Sequence, residues 1–260
     1  MIADIRGKIS RLGSNLTERL EDNLTGNVFG VLRYMPFSPI MGEILVNAVY
    51  PKSIGEDIRD IQYGFWADKV QFWPYDREGE IDILIEFENM IIGIEVKYTS
   101  GLSSDDDISN NEDAEFKTKE EMKTSINQLA RESRIISQKG NNKKKVLLFV
   151  ADRESCKEVY TDIQKRNIIE SKVAFGYISW QDFLLQLKKL KVTDPYHQVI
   201  INDVIALLTR KGFEDFTNMN IEVPQPINVE QYFQFNIESK LKISFQTDIS
   251  IKGGLYYEFS

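Results

Sequence analysis

Cysteine and histidine are nearly absent from this 260-residue chain, which holds one of each, Cys156 and His197. One cysteine cannot close an internal disulfide, and the two residues together cannot supply the four protein ligands of a structural zinc site. Chemistry that needs two histidines is excluded as well, which removes HNH-type and paired-histidine nucleases and HExxH metalloproteases. Cys156 reads as a small buried side chain rather than a nucleophile. His197 follows Asp194-Pro195-Tyr196 at a predicted helix start and reads as an ordinary helix residue. No apolar run approaches the roughly 18 residues of a membrane span, and the opening MIADIRGKIS has no apolar signal-peptide core. A cytoplasmic protein without membrane association is the expectation. Any enzymatic chemistry then rests on carboxylates, lysines, hydroxyls or a metal.

Excess positive charge is also lacking. The formal net charge is −8 and the pI is near 5.0. Broad non-specific nucleic-acid binding runs on phosphate neutralisation and is disfavoured by this balance. Local basic patches remain, at Lys143-Lys144-Lys145, at Lys188-Lys189 with Lys191, and at Lys117 with Lys119. Each alone reads more naturally as a solvated face than as a DNA contact. The hydrophobic fraction of 42% and charged fraction of 28% are those of an ordinary globular protein.

The most informative run is residues 80–97, EIDILIEFENMIIGIEVK. Two short apolar strands are predicted over 80–88 and 90–98, with a turn near Glu88-Asn89. Alternation puts Ile81, Ile83, Ile85 and Phe87 on one face of the first, and Glu80, Asp82 and Glu86 on the other. In the second, Glu95 and Lys97 are two residues apart, so they point the same way, roughly 6.6 Å apart along the strand. Gly93 leaves space on that face for a substrate or metal. Two carboxylates and a lysine on one sheet surface are what a magnesium-dependent phosphodiester-cleaving site needs.

Around this run, residues 1–23 are polar and helical in character. Leu24, Val28, Leu32 and Met35 recur at helical spacing. A short helix over 40–49 carries Glu43, 51–60 reads as a loop, and the aromatic 61–74 reads as a strand or hairpin. The segment 99–116 holds six acids and no base and reads as a mobile loop, either a plain surface loop with no role or one that gates access or docks a basic partner. A helix is expected from Thr118, whose TKEE is a capping box, with Met122, Ile126, Leu129 and Ile136 as its stripe and Gly140 at its C-terminal end. Then come a fully buried strand over 146–152, a helix over 153–169 and a strand over 173–179. A capping box of Ser179 with Asp182 follows, and a helix from about Pro195. The tail, 213–260, is aromatic and β-like. The order of elements indicates an α/β sandwich with a mixed β-sheet flanked by helices. The expected domains are 1–212 and a C-terminal β-rich extension, 213–260.

With these residues in this order, the chain resembles the PD-(D/E)xK nuclease superfamily over roughly 24–180. Asp82 matches the motif's first acid, Glu95-Val96-Lys97 matches (D/E)-x-K, and Ile81 stands in place of the proline. The resemblance implies a restriction-endonuclease-like core (αβββαβ) and a DNA-hydrolysing enzyme acting in defence against foreign DNA or in repair. It implies Mg²⁺, with Mn²⁺ as a substitute, held by Asp82, Glu95 and the Val96 carbonyl. It also implies a lysine, Lys97, that orients or helps deprotonate the attacking water. Members often add an acid from the preceding helix, for which Glu43 is the candidate. Members of the RecB-type branch add a glutamine on the crossover helix, matched by Gln128, but the tyrosine four residues later is Glu132 here. Replacing Lys97 by methionine is expected to abolish cleavage with little loss of fold. The competing expectations are a catalytically silent binding module, and a subunit whose DNA-binding surface comes from a partner protein or a homo-oligomer.

Overall fold

The computed structural model describes residues 16–98 and 125–215. The expectations for 1–15, the acidic 99–116 segment, the Thr118 capping box, Lys117 and Lys119, and the tail from 216 onward fall outside those residues.

The first helix, α1 (Leu16–Leu32), joins the polar and apolar stretches that the sequence separates. Leu24, Val28 and Leu32, one turn apart, are all buried, with Phe29 beside them. A wide-turn helix, Phe37–Gly42, runs directly into α2 (Glu43–Ala48). The expected loop over 51–60 is instead α3 (Lys52–Arg59). Its Pro51 sits at the N-cap, where a missing N–H costs nothing. Ile54 and Ile58 bury one face. Gly55 is a close-approach position rather than a break, since a Cβ there would lie 2.6 Å from the Val46 carbonyl oxygen.

Seven strands lie among the described residues. They are β1 (Val70–Phe72), β2 (Tyr75–Asp76), β3 (Gly79–Glu80), β4 (Ile83–Glu86), β5 (Met90–Val96), β6 (Lys144–Ala151) and β7 (Ala174–Ser179). Between and after them lie α4 (Gln128–Gln138), α5 (Arg153–Arg166), α6 (Trp180–Lys189) and α7 (Pro195–Arg210). The main sheet has the order β1-β4-β5-β6-β7. The β1-β4-β5 meander is antiparallel and the β5-β6 and β6-β7 pairs are parallel, so the protein is α/β with a mixed five-stranded sheet. Parallel neighbours need a crossover, here carrying α4 and then α5. Of the aromatic 61–74 stretch only β1 is strand.

Both sheet faces are covered. Ile83, Ile85, Ile92, Ile94 and Leu148 join one core with α1, α2, α3, α6 and α7. Leu84, Ile91, Leu147 and Phe149 join the other with α4 and α5. Trp66 and Trp180 are fully buried, and Phe213 stacks on Trp180 at 5.6 Å between centroids. Among the described residues, no helix is long and apolar enough to cross a membrane.

Two expectations for the central run are corrected. The strand over 80–88 is broken. Glu80 ends the small β2-β3 hairpin, Asp82 forms a bend, and β4 begins at Ile83. The bend resets the alternation, so Ile81 packs in the α4-side core while Ile83 packs in the opposite one. The crossover helix is not continuous from Thr118. Residues 125–127 are non-helical, and Asn127 caps α4 by accepting from the Leu129 and Ala130 amides at 3.0 and 3.4 Å. Gly140, at φ 51°, follows the helix end as expected.

Candidate active site

The C-terminal end of β5 places the first two groups. Glu95 lies on the face toward α4 and is 2% exposed. Lys97, two residues on, shares that face, and its backbone is held on both sides. Its N–H donates to the Val150 carbonyl at 2.7 Å, and its own carbonyl accepts from the Trp180 indole at 2.9 Å. Its Nζ sits 2.8 Å from Glu95 Oε1 and 3.6 Å from Glu21 Oε2. Asp82 reaches the same place from the bend before β4, where its Oδ2 accepts the Val96 N–H at 2.9 Å. That bond ties Asp82 to the residue between Glu95 and Lys97.

The α4 N-terminus closes the site from above the sheet. Gln128 Nε2 donates to Glu95 Oε1 at 2.5 Å. Glu132, one turn further along, is 2% exposed, and neither of its carboxylate oxygens has a hydrogen-bond partner. The helix can approach this closely because of Gly93, where a Cβ would lie 2.4 Å from Ile136 Cδ1. The space that the sequence reserves there for substrate is therefore filled by a side chain of α4.

The electrostatics follow from crowding acids in a buried place. Burial raises the pKa of Asp82 well above the usual carboxylate range and the Glu95 charge adds to this, while the Val96 N–H and Lys97 pull the other way. Glu132 is raised too, by burial and then by the charges of Glu95 and Asp82. Burial alone would lower Lys97, but Glu95 and Glu21 outweigh it and hold its pKa above the ordinary lysine value. Lys97 is thus a firmly charged ammonium.

Asp82, Glu95, Val96, Lys97 and Gln128 are brought together; Glu43 is not. It is exposed, accepts from Asn47 Nδ2 at 2.7 Å, and lines a groove with Gln186 and Lys189. The helical acid that meets Lys97 is Glu21, which also accepts the Tyr98 N–H at 3.1 Å. Its signal was present in the sequence: Glu21 falls three residues before Leu24 and seven before Val28, a charge on an apolar stripe. Glu132 carries the same signal between Leu129 and Ile136. Glu86 pairs instead with Lys143 at 2.7 Å.

The Asp82, Glu95 and Glu132 carboxyls and the Val96 carbonyl are hard oxygens of the kind Mg²⁺ takes, and that ion needs only one or two carboxylates because it keeps several waters. Among the described residues, no three His, Cys, Asp or Glu side chains form a ready cage for a metal ion. The orphaned Glu132 oxygens and the excess of carboxyls over ammonium nonetheless suit a divalent cation, so the residues present fit the ion that the resemblance implies. Comparison with models of known protein families, with curated proteins and with solved structures gave no match.

Proposed function

We propose that this protein is a metal-dependent nuclease that hydrolyses DNA phosphodiester bonds. The observation that carries the reading is the Lys97 ammonium clamped on Glu95, with Asp82 bonded to the intervening Val96 amide. Asp82 and Glu95, with the Val96 carbonyl, would hold Mg²⁺ or Mn²⁺. Such an ion lowers the pKa of a bound water and offsets charge on the phosphate. Lys97, kept charged by its neighbours, would hydrogen-bond the attacking water and stabilise the negative charge that develops on the phosphoryl oxygens. An amine held in its charged form is a poor base, which favours the orienting role over deprotonation. Gln128 fixes the rotamer of Glu95 through its amide. The order of elements, a helix, an antiparallel meander, a crossover helix and a parallel strand, supports the same reading, as does the resemblance, from which a context of DNA defence or repair is drawn.

Supercoiled, linear and single-stranded DNA, with RNA beside them, incubated with Mg²⁺, Mn²⁺ or EDTA, test the proposal. Cleavage is expected with either metal and not with EDTA or in Asp82→Ala. Equal cleavage by that variant would overturn the assignment. A second reading is a DNA-acting subunit whose binding surface comes from a partner. It is favoured by the fate of the basic run: Lys143 pairs with Glu86, Lys144 with Asp57, and the buried Lys145 donates to the Ser137 carbonyl at 2.5 Å. Cleavage that appears only when a co-purifying protein is added back would favour it.

A further inference from the structure

Lys97 Nζ and Gln128 Nε2 converge on one oxygen of Glu95, Oε1, at 2.8 and 2.5 Å. The Glu95 carboxyl and the Gln128 amide both lie close enough to act on Glu132. Glu132 is 2% exposed, and both its oxygens are buried without a hydrogen-bond partner. A carboxylate shut away from water without donors is costly, and such a group is ordinarily paired or bound to a metal. Its position adds weight. It lies one helical turn after Gln128, so the two side chains share the face of α4 that looks onto Glu95. The charges of Glu95 and Asp82 both act on it. Glu21, Asp82, Glu95 and Glu132 together set four carboxyls against the ammonium of Lys97.

We infer that Glu132 is a cation ligand of this chain, a carboxylate on the crossover helix that binds a divalent metal together with Glu95. The inference rests on the nuclease reading for the identity of the ion, and it assigns a role to the position at which this chain departs from the resembled family. Two facing carboxylates share a hard cation well, because each supplies oxygen donors at no cost in further desolvation. The cation would replace the missing hydrogen-bond donors of Glu132 and offset the negative charge that Lys97 leaves uncompensated.

The test uses the full chain, freed of metal and titrated with Mn²⁺, with binding read by calorimetry and by the electron paramagnetic resonance of free Mn²⁺. Glu132→Gln is expected to weaken Mn²⁺ binding by on the order of tenfold or more and to shrink the rise in melting temperature that Mn²⁺ brings. Metal-free Glu132→Gln should melt at or above the wild-type temperature, because the amide is neutral at every pH whereas burial tolerates the carboxyl only in its protonated form. Glu132→Asp, which keeps the carboxylate, should regain part of the affinity. Wild-type affinity in Glu132→Gln would mean that the Glu95–Glu132 pair merely shares a proton, and would overturn this inference while leaving the nuclease reading standing. A wild-type chain that binds no Mn²⁺ would overturn both.

Discussion

Lys97 is where one residue's surroundings change what a substitution should do. The sequence suggests that Lys97→Met would silence the site and spare the fold. In the structure the ammonium is buried against Glu95 and Glu21, so removing it leaves charges without their partner. Breaking a buried ion pair from one side costs about 3–5 kcal/mol. Urea denaturation of Lys97→Met is expected to show a loss of that size, with a good part regained in the double variant Lys97→Met with Glu95→Gln. A single variant as stable as wild type would show that the pair is solvated. Cys156 gives a second prediction at this scale. Burial pushes its thiol up to about 12. Because the folded value lies above the unfolded one of about 8.5, the neutral thiol's contribution to stability is complete below that pH and is lost as pH rises toward 12. At pH 8 an aromatic disulfide reagent should leave the folded protein unlabelled and react readily in urea. Prompt labelling in native buffer would contradict the buried position.

At the scale of elements, α4 is the one that assembles the site, and two local features set its position. Asn127 caps its first turn from a fully buried place. Asn127→Ala is expected to cost about 1 kcal/mol and also to weaken Mn²⁺ binding, since Gln128 and Glu132 move with that turn. Gly93 sets the distance between α4 and the sheet. Gly93→Ala drives a methyl into Ile136 and should cost about 1–3 kcal/mol by thermal melting, with relief when Ile136 is shortened to Val. No change in melting temperature would mean that the helix retreats freely and that the close contact is not what positions it. Neither feature declares its role in sequence. Asn127 follows a masking resemblance to a longer helix, because Ile126 continues the apolar spacing yet is 57% exposed. Gly93 looks like a vacancy until the partner helix is in place.

For the molecule as a whole, the net charge of −8 and the internal pairing of Lys143, Lys144 and Lys145 bear on how DNA would be held. A lysine that contacts phosphate lowers the salt slope of binding by about 1 when it is removed. Replacing Lys144, whose partner is Asp57, by Gln should leave the slope of DNA affinity against salt unchanged. A fall of about 1 would place that lysine on the nucleic acid and remove the argument for a partner-supplied surface.

The period of the apolar residues and the capping chemistry determined much of this protein locally. The stripe of α1, the doubly buried β6, the Ser179–Asp182 capping box and the pairing of Glu95 with Lys97 on one strand face all follow from rules that act over a few residues. The α/β class follows from their order. What only the tertiary structure decided are the contacts made across long sequence separations. Glu21 meets Lys97 from 76 positions away, and Glu132 turns toward Glu95 once α4 crosses the sheet. Asp82 reaches the Val96 amide from a bend rather than a strand, because β4 starts at Ile83, three residues later than the alternation suggests. Glu43, equally acidic and on an equally plausible helix, is left on the surface. Local spacing says which face a carboxylate occupies, but burial and the charges packed against it are set by the elements that close over that face.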